Sequence, residues 1–121
     1  MLQVSGDEGN GMIQETISKI EAQIRQSDAV QPQSKAELLS LLATLKAEMA
    51  EIARTHGEQA QSIAGFTAVS THEATREEPN PQLLKLSLEG LSSSVQGFEE
   101  SHPRLVQIVN AISTTLSNLG I

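Results

Sequence analysis

Cysteine is absent from this sequence of 121 residues, which excludes disulfides, a thiolate metal site and a thiol nucleophile. Aromatic side chains are limited to Phe66 and Phe98, so the core must be aliphatic, and such a composition favours helices over strands. The longest apolar runs fall short of the roughly 18 residues of a membrane-spanning helix. A basic start followed by an apolar stretch, the pattern of a signal peptide, is missing as well. We therefore expect a cytoplasmic protein.

Basic residues are also scarce: the chain has 15 acidic and 8 basic residues, for a formal net charge of −7. The basic residues are scattered singly along the chain. Binding to nucleic acid or to an anionic membrane needs a concentrated basic surface, so the sequence predicts neither kind of partner. The acidity itself is explained by solubility.

The N-terminal residues 1–11 combine glycines and acidic residues without any periodic pattern. We expect them to be a disordered extension, with Met12 as an alternative translation start to Met1. The remaining residues, 12–121, are then a single helical domain.

Isoleucines at spacings of 4, 3 and 4 predict a first helix from about Met12 to Ser27. A second helix is predicted to begin with a capping box formed by Ser34 and Glu37, and its apolar spacing continues to His56. Beyond Gly57 the pattern weakens. Residues 57–76 could continue as a helix of small residues or be partly a loop.

The last forty residues carry the clearest pattern, in which core positions alternate at spacings of 4 and 3 from Leu84 to Leu119. Asn80 is the predicted N-cap and Pro81 the first residue of this helix. Pro103 lacks a backbone donor and must kink or divide the helix. Because the spacing keeps its phase across Pro103, we expect the two halves to be nearly colinear.

From these helices we predict an all-α fold, an elongated antiparallel hairpin with coiled-coil spacing. The short N-terminal helix packs against one end of the hairpin and makes that end a three-helix bundle. The other end would expose an apolar seam, and a homodimer that closes a four-helix bundle would cover it. Gly90 and Gly97 would let the second hairpin approach closely. The predicted dimer interface consists of Phe66, Leu84, Leu88, Leu91, Val95 and Phe98.

His56 and His102 occupy core positions that this hairpin places opposite each other. They predict either a polar layer that fixes the helix register or a metal or ligand pair, although two imidazoles are fewer ligands than a zinc site needs. We predict no cofactor. The serines at 92–94 have no base at a recognisable spacing, and His72-Glu73 lacks the second histidine of a metalloprotease motif because Arg76 stands there.

The segment Phe98-Glu99-Glu100-Ser101-His102-Pro103-Arg104-Leu105, continued by Asn110-Ala111-Ile112 and a final Gly120-Ile121, resembles the closing segment of a family of small bacterial helical proteins, domain of unknown function 4404. The resemblance implies a small bacterial cytoplasmic helical protein and no particular activity. The sequence thus predicts a non-enzymatic, self-associating structural or interaction protein that can also bind another protein. The alternative is a small-ligand or metal-binding protein that uses His56 and His102.

Overall fold

Five α-helices make up most of the protein in a computed structural model, which describes the backbone of residues 6–119 and the side chains of residues 11–119. The described residues contain no strand, so the predicted all-helical class is confirmed. The uncertain region 57–76 is mostly helical. The helices are α1 (Gly6–Gln26), α2 (Pro32–Thr55), α3 (Gly57–Ala74), α4 (Pro81–Ser94) and α5 (Pro103–Leu119).

The first helix begins earlier than its apolar pattern predicts, at Gly6 rather than Met12. Part of the extension predicted to be disordered is therefore helical, and residues 1–5 lie outside the described residues. Glycine disfavours a helix by only about 1 kcal/mol, a local preference that the packed remainder of a helix can override.

The starts of α2 and α4 show which capping prediction was right. α2 begins at Pro32 with Gln31 as its N-cap, and no side chain caps it, so the predicted capping box at Ser34 is wrong. Proline fits the first helical position because its missing N–H would be unpaired there anyway. At α4 the prediction is confirmed: Asn80 Oδ1 accepts a hydrogen bond of 3.1 Å from the backbone N–H of Leu83.

A single residue, His56, separates α2 from α3. Its backbone angles (φ −135°, ψ 56°) are not helical. The hydrogen bonds of the helix nevertheless continue on both sides: the His56 N–H donates to the Ile52 carbonyl at 2.7 Å, and the Ala60 N–H donates to the His56 carbonyl at 2.9 Å. The chain therefore changes direction within one residue.

After this bend α3 runs beside α1 and in the same direction. Near the start of α3, Gln61 and Ala64 share a surface cleft with Ile13, and at its far end Thr75 accepts a 3.2 Å hydrogen bond from Gln23. Since α1 and α2 are antiparallel, α3 turns back relative to α2. The predicted elongated hairpin is wrong in this respect, because apolar spacing shows which face of a helix is buried but not whether the helix continues.

A second bend, at residues 95–102, separates α4 from α5. Gly97 adopts a left-handed conformation there (φ 98°), which glycine tolerates without strain. Pro103 divides the helix as predicted, but the two halves are not colinear. α4 packs against α3, whereas α5 packs against α2, where Thr115 donates a 3.1 Å hydrogen bond to Glu37.

All five helices contribute to one buried core. α1, α2 and α5 supply large aliphatic side chains, each of which stabilises the fold by about 1.5–3 kcal/mol when fully buried. α3 differs, because its buried face consists of Ile63 and smaller residues: Ala60, Ala64, Thr67, Ser70, Thr71, Glu73 and Ala74. Within the described part of the chain, no helix combines the length and the apolar character needed to span a membrane.

Candidate functional site

The predicted histidine pair lies where the two bends meet. The ring centroids of His56 and His102 are 6.4 Å apart, and the Phe98 ring lies 5.3 Å from the former and 5.7 Å from the latter. His56 supplies the bend between α2 and α3, while Phe98 and His102 belong to the bend between α4 and α5. The predicted proximity of the two histidines is therefore confirmed, although they join two turns instead of forming a layer inside a long hairpin.

The prediction that both histidines are buried is wrong. His56 is exposed and His102 is half-buried, whereas Phe98 is only 5% exposed. The bend turns His56 towards solvent, where its Nδ1 atom shares a 2.8 Å hydrogen bond with the Thr55 hydroxyl. The two imidazole rings are thus partly accessible to solvent and lie against the buried Phe98 ring.

These two imidazoles offer an incomplete set of metal ligands. No group of three or more metal-ligating side chains that could hold an ion occurs among the side chains of residues 11–119. The nearby Glu99 carboxylate accepts a 2.7 Å hydrogen bond from the backbone N–H of Gly97. A transition metal bound to His56 and His102 would have to complete its shell with water.

The predicted dimer-interface residues divide into two groups. Leu84, Leu91, Val95 and Phe98 are buried within the single chain, at most 5% exposed, because the bends bring other helices over the predicted seam. Leu88 is half-buried. Of these six residues, Phe66 is the most exposed, at 39%. The expectation that this seam lies open is therefore corrected.

A different apolar surface is exposed on α3 and α4, and we term it the α3–α4 strip. It consists of Phe66 (39% exposed), Val69 (49%), Leu83 (42%) and Leu86 (55%). The two residues on each helix are three positions apart, so they lie on one helical face. The two helices are antiparallel and Phe66 contacts Gly90, a register that places Val69 beside Leu86.

Contact between Phe66 and Gly90 holds one end of the strip together. A Cβ atom added to Gly90 would meet Phe66 Cε1 at 2.3 Å, so the ring fills the space above the glycine. The space above Gly90 is therefore filled by Phe66 of the same chain. The sequence predicted instead that a second hairpin would approach there. At the other end, Glu73 and Arg76 form an ion pair of 2.8 Å.

Part of the α3–α4 strip can be predicted from the sequence. Phe66 was assigned to an interface, and the leucines at 83 and 86 lie in a conspicuously apolar segment. Val69 was missed because it lies outside the main apolar spacing. The i,i+3 pairs Phe66–Val69 and Leu83–Leu86 were the available signal, since each marks a second apolar face beside the buried one.

The polar motifs that the sequence singled out show ordinary structural contacts. Ser92 and Ser93 are exposed, and the Ser94 hydroxyl donates a 2.6 Å hydrogen bond to the Leu91 carbonyl. His72 is exposed at the end of α3. These contacts agree with a solvated helix face.

Comparison with known proteins identifies a family for most of the chain. The model of a family described as domain of unknown function (DUF4404) matches residues 40–121, which span most of α2 and the three helices that follow. Neither the curated proteins nor the solved structures contain a match.

Proposed function

The chain belongs to the DUF4404 family, and we propose that it is a non-enzymatic interaction protein that associates with a second copy of itself. The observation that carries this proposal is the α3–α4 strip, in which four large apolar side chains are 39% to 55% exposed on adjacent helices. Contiguous exposed apolar surfaces with a polar rim are typical of protein interfaces. A bacterial origin and a cytoplasmic location are part of the same proposal.

A second copy is the occupant that the shape of the strip favours. Two antiparallel helices form a flat, ridged surface, and a twofold axis across it would pack α3 and α4 of each copy into a four-helix arrangement. Such an isologous contact needs no complementary partner. At about 1.5–3 kcal/mol for each large side chain fully buried, completing the partial burial of eight side chains supplies a substantial driving force.

The net charge of −7 opposes this association, but only weakly at physiological salt. Charges more than about 8 Å apart are largely screened there. On the strip itself, the carboxylate of Glu73 is paired with Arg76 instead of facing the second copy alone. Raising the salt concentration should therefore strengthen the dimer.

Light scattering on the wild-type protein and on a Leu83→Glu/Leu86→Glu variant tests the proposal. We expect the wild type to show a concentration-dependent dimer and the variant to remain a folded monomer, because four carboxylates would face each other across the axis. The matched control is Gln107→Glu/Asn110→Glu, which adds the same charge at the same spacing on exposed positions of α5. The control should still form the dimer.

A wild type that stays monomeric at high micromolar concentration would reject self-association. A control that dissociates as readily as the strip variant would reject the α3–α4 strip as the interface. Circular dichroism of each variant separates loss of association from loss of folding.

The proximity of His56 and His102 supports a second candidate function, binding of a transition metal or a small ligand. Thermal melts with and without nickel or zinc test it. A ligand that binds only the native state raises the melting temperature by mass action. Under this candidate the increase should disappear in a His102→Asn variant.

A further inference from the structure

The bend between α2 and α3 is confined to a single residue. His56 is its only non-helical residue, and the hydrogen bonds from His56 to Ile52 and from Ala60 to His56 already have helical spacing. Changing the backbone angles of this one residue would join the two helices. The product would be one helix from Pro32 to Ala74, roughly 65 Å long at 1.5 Å per residue.

The sequence is also compatible with the joined helix. Ile52 and Ile63 stay in phase across the bend at spacings of 4 and 3, and the two positions between them are His56 and Gln59. The same spacing continues through the second bend, from Phe98 across His102 to Leu105. The segment 95–102 is eight residues long, so it can connect α4 to α5 in either arrangement.

The side chains that α3 buries are mostly small. Its buried face consists largely of alanine, serine and threonine, with Ile63 as the large aliphatic residue. Surface clefts lie at both ends of this contact, one beside Ile13 and Gln61 and one beside Gln23 and Thr75. Releasing α3 from α1 therefore exposes few large apolar side chains from α3.

From these three observations we infer that the protein can exchange its α3–α4 hairpin between two copies. His56 straightens, the hairpin leaves α1, α2 and α5 of its own chain, and it packs against the same helices of the second copy. The contacts between the hairpin and these helices then recur between the chains, as in domain swapping, for which a short hinge is a known risk factor. The inference rests on the proposed self-association and adds exchange of the hairpin to the contact through the α3–α4 strip.

Because the natural chain has no cysteine, single thiols can report the exchange. One preparation carries Gln23→Cys and the other Thr75→Cys, at two positions whose side chains are in contact within the monomer. The two are unfolded together, refolded as a mixture and treated with a short bismaleimide. Exchange places the two thiols of different chains side by side, so we expect a covalent heterodimer on a denaturing gel.

Variants at the hinge make the test quantitative. The equilibrium constant for adopting the helical conformation is about fivefold higher for alanine than for glycine. Since both chains must straighten, His56→Ala should raise the association constant about 25-fold over His56→Gly, and both variants lack the imidazole equally.

The outcomes separate the inference from the proposed function. A dimer by light scattering that gives no covalent heterodimer would overturn the exchange and leave self-association through the α3–α4 strip intact. Monomers in every variant would overturn both. A heterodimer that His56→Ala increases over His56→Gly would establish the exchange.

Discussion

The Phe66 ring of α3 lies directly over Gly90 of α4, where a Cβ atom would come within 2.3 Å of the ring. This contact fixes the register of the α3–α4 hairpin, because it aligns one residue of each helix. It also keeps part of Phe66 at the surface, where the ring begins the apolar strip. The same glycine thus influences both the stability of the hairpin and the proposed interface.

A Gly90→Ala substitution should lower the free energy of unfolding by about 1 kcal/mol. Overpacking costs about 1–3 kcal/mol, which exceeds the gain of about 1 kcal/mol from alanine in a helix. The control is Gly65→Ala in α3, where nothing lies within 4 Å of an added Cβ atom. The control should be stabilised. Denaturant unfolding measures both, and equal stabilisation of the two variants would contradict the contact with Phe66.

Replacing Asn80 by alanine should cost about 1 kcal/mol, because the Leu83 N–H then loses the side chain that caps it. Ser34→Ala provides the comparison, since the sequence predicts a cap there and the structure places Ser34 inside α2. That substitution should be neutral or slightly stabilising. If thermal melts show a larger loss of stability for Ser34→Ala than for Asn80→Ala, the predicted capping box at Ser34 would be supported after all.

These two caps illustrate how much of the fold was predictable. Asn80 and Pro81 follow a local rule, and local rules predicted the α4 start, the break at Pro103 and most buried positions. The bend at His56 has a weaker signal, because no proline marks it and only Gly57 and the weaker apolar spacing beyond it interrupt the pattern. Whether such a residue bends depends on the contact between α1 and α3, which is a tertiary effect.

The same limit applies to the candidate site. Opposite positions in an antiparallel pairing predicted that His56 and His102 meet, and they do, since both bends occur at the same level of the bundle. Their exposure could not be predicted, because it follows from the bends. The strip was predicted only in part, since the extended hairpin assigned α4 residues such as Leu84 and Leu91 to an open seam that the folded-back arrangement buries.

An ion pair between α1 and α2 should contribute measurably to stability. Lys46 donates 2.8 Å and 3.0 Å hydrogen bonds to Glu21 and Ser18, and Glu21 is only 8% exposed. Lys46→Met should therefore cost about 1–2 kcal/mol by leaving a largely buried carboxylate unpaired. The exposed pair of Lys19 and Glu15 is 3.6 Å long, so Lys19→Met should change little.

Chemical unfolding of the two lysine variants at low and high salt tests this difference. Adding Glu21→Gln to Lys46→Met should recover part of the loss, because the unpaired charge is then removed. Equal effects of Lys46→Met and Lys19→Met would show that the Glu21 carboxylate is solvated.

Ser70→Ala should stabilise the protein by about 1 kcal/mol, because it removes a buried hydroxyl without a partner and replaces it with a better helix former. The matched variant is Ser87→Ala, also at a buried helical position, whose hydroxyl donates a 2.8 Å hydrogen bond to the Leu84 carbonyl. Ser87→Ala should stay within about 0.5 kcal/mol of the wild type. Denaturant unfolding measures both variants. Equal effects of Ser70→Ala and Ser87→Ala on the free energy of unfolding would contradict the difference in hydrogen bonding between the two hydroxyls.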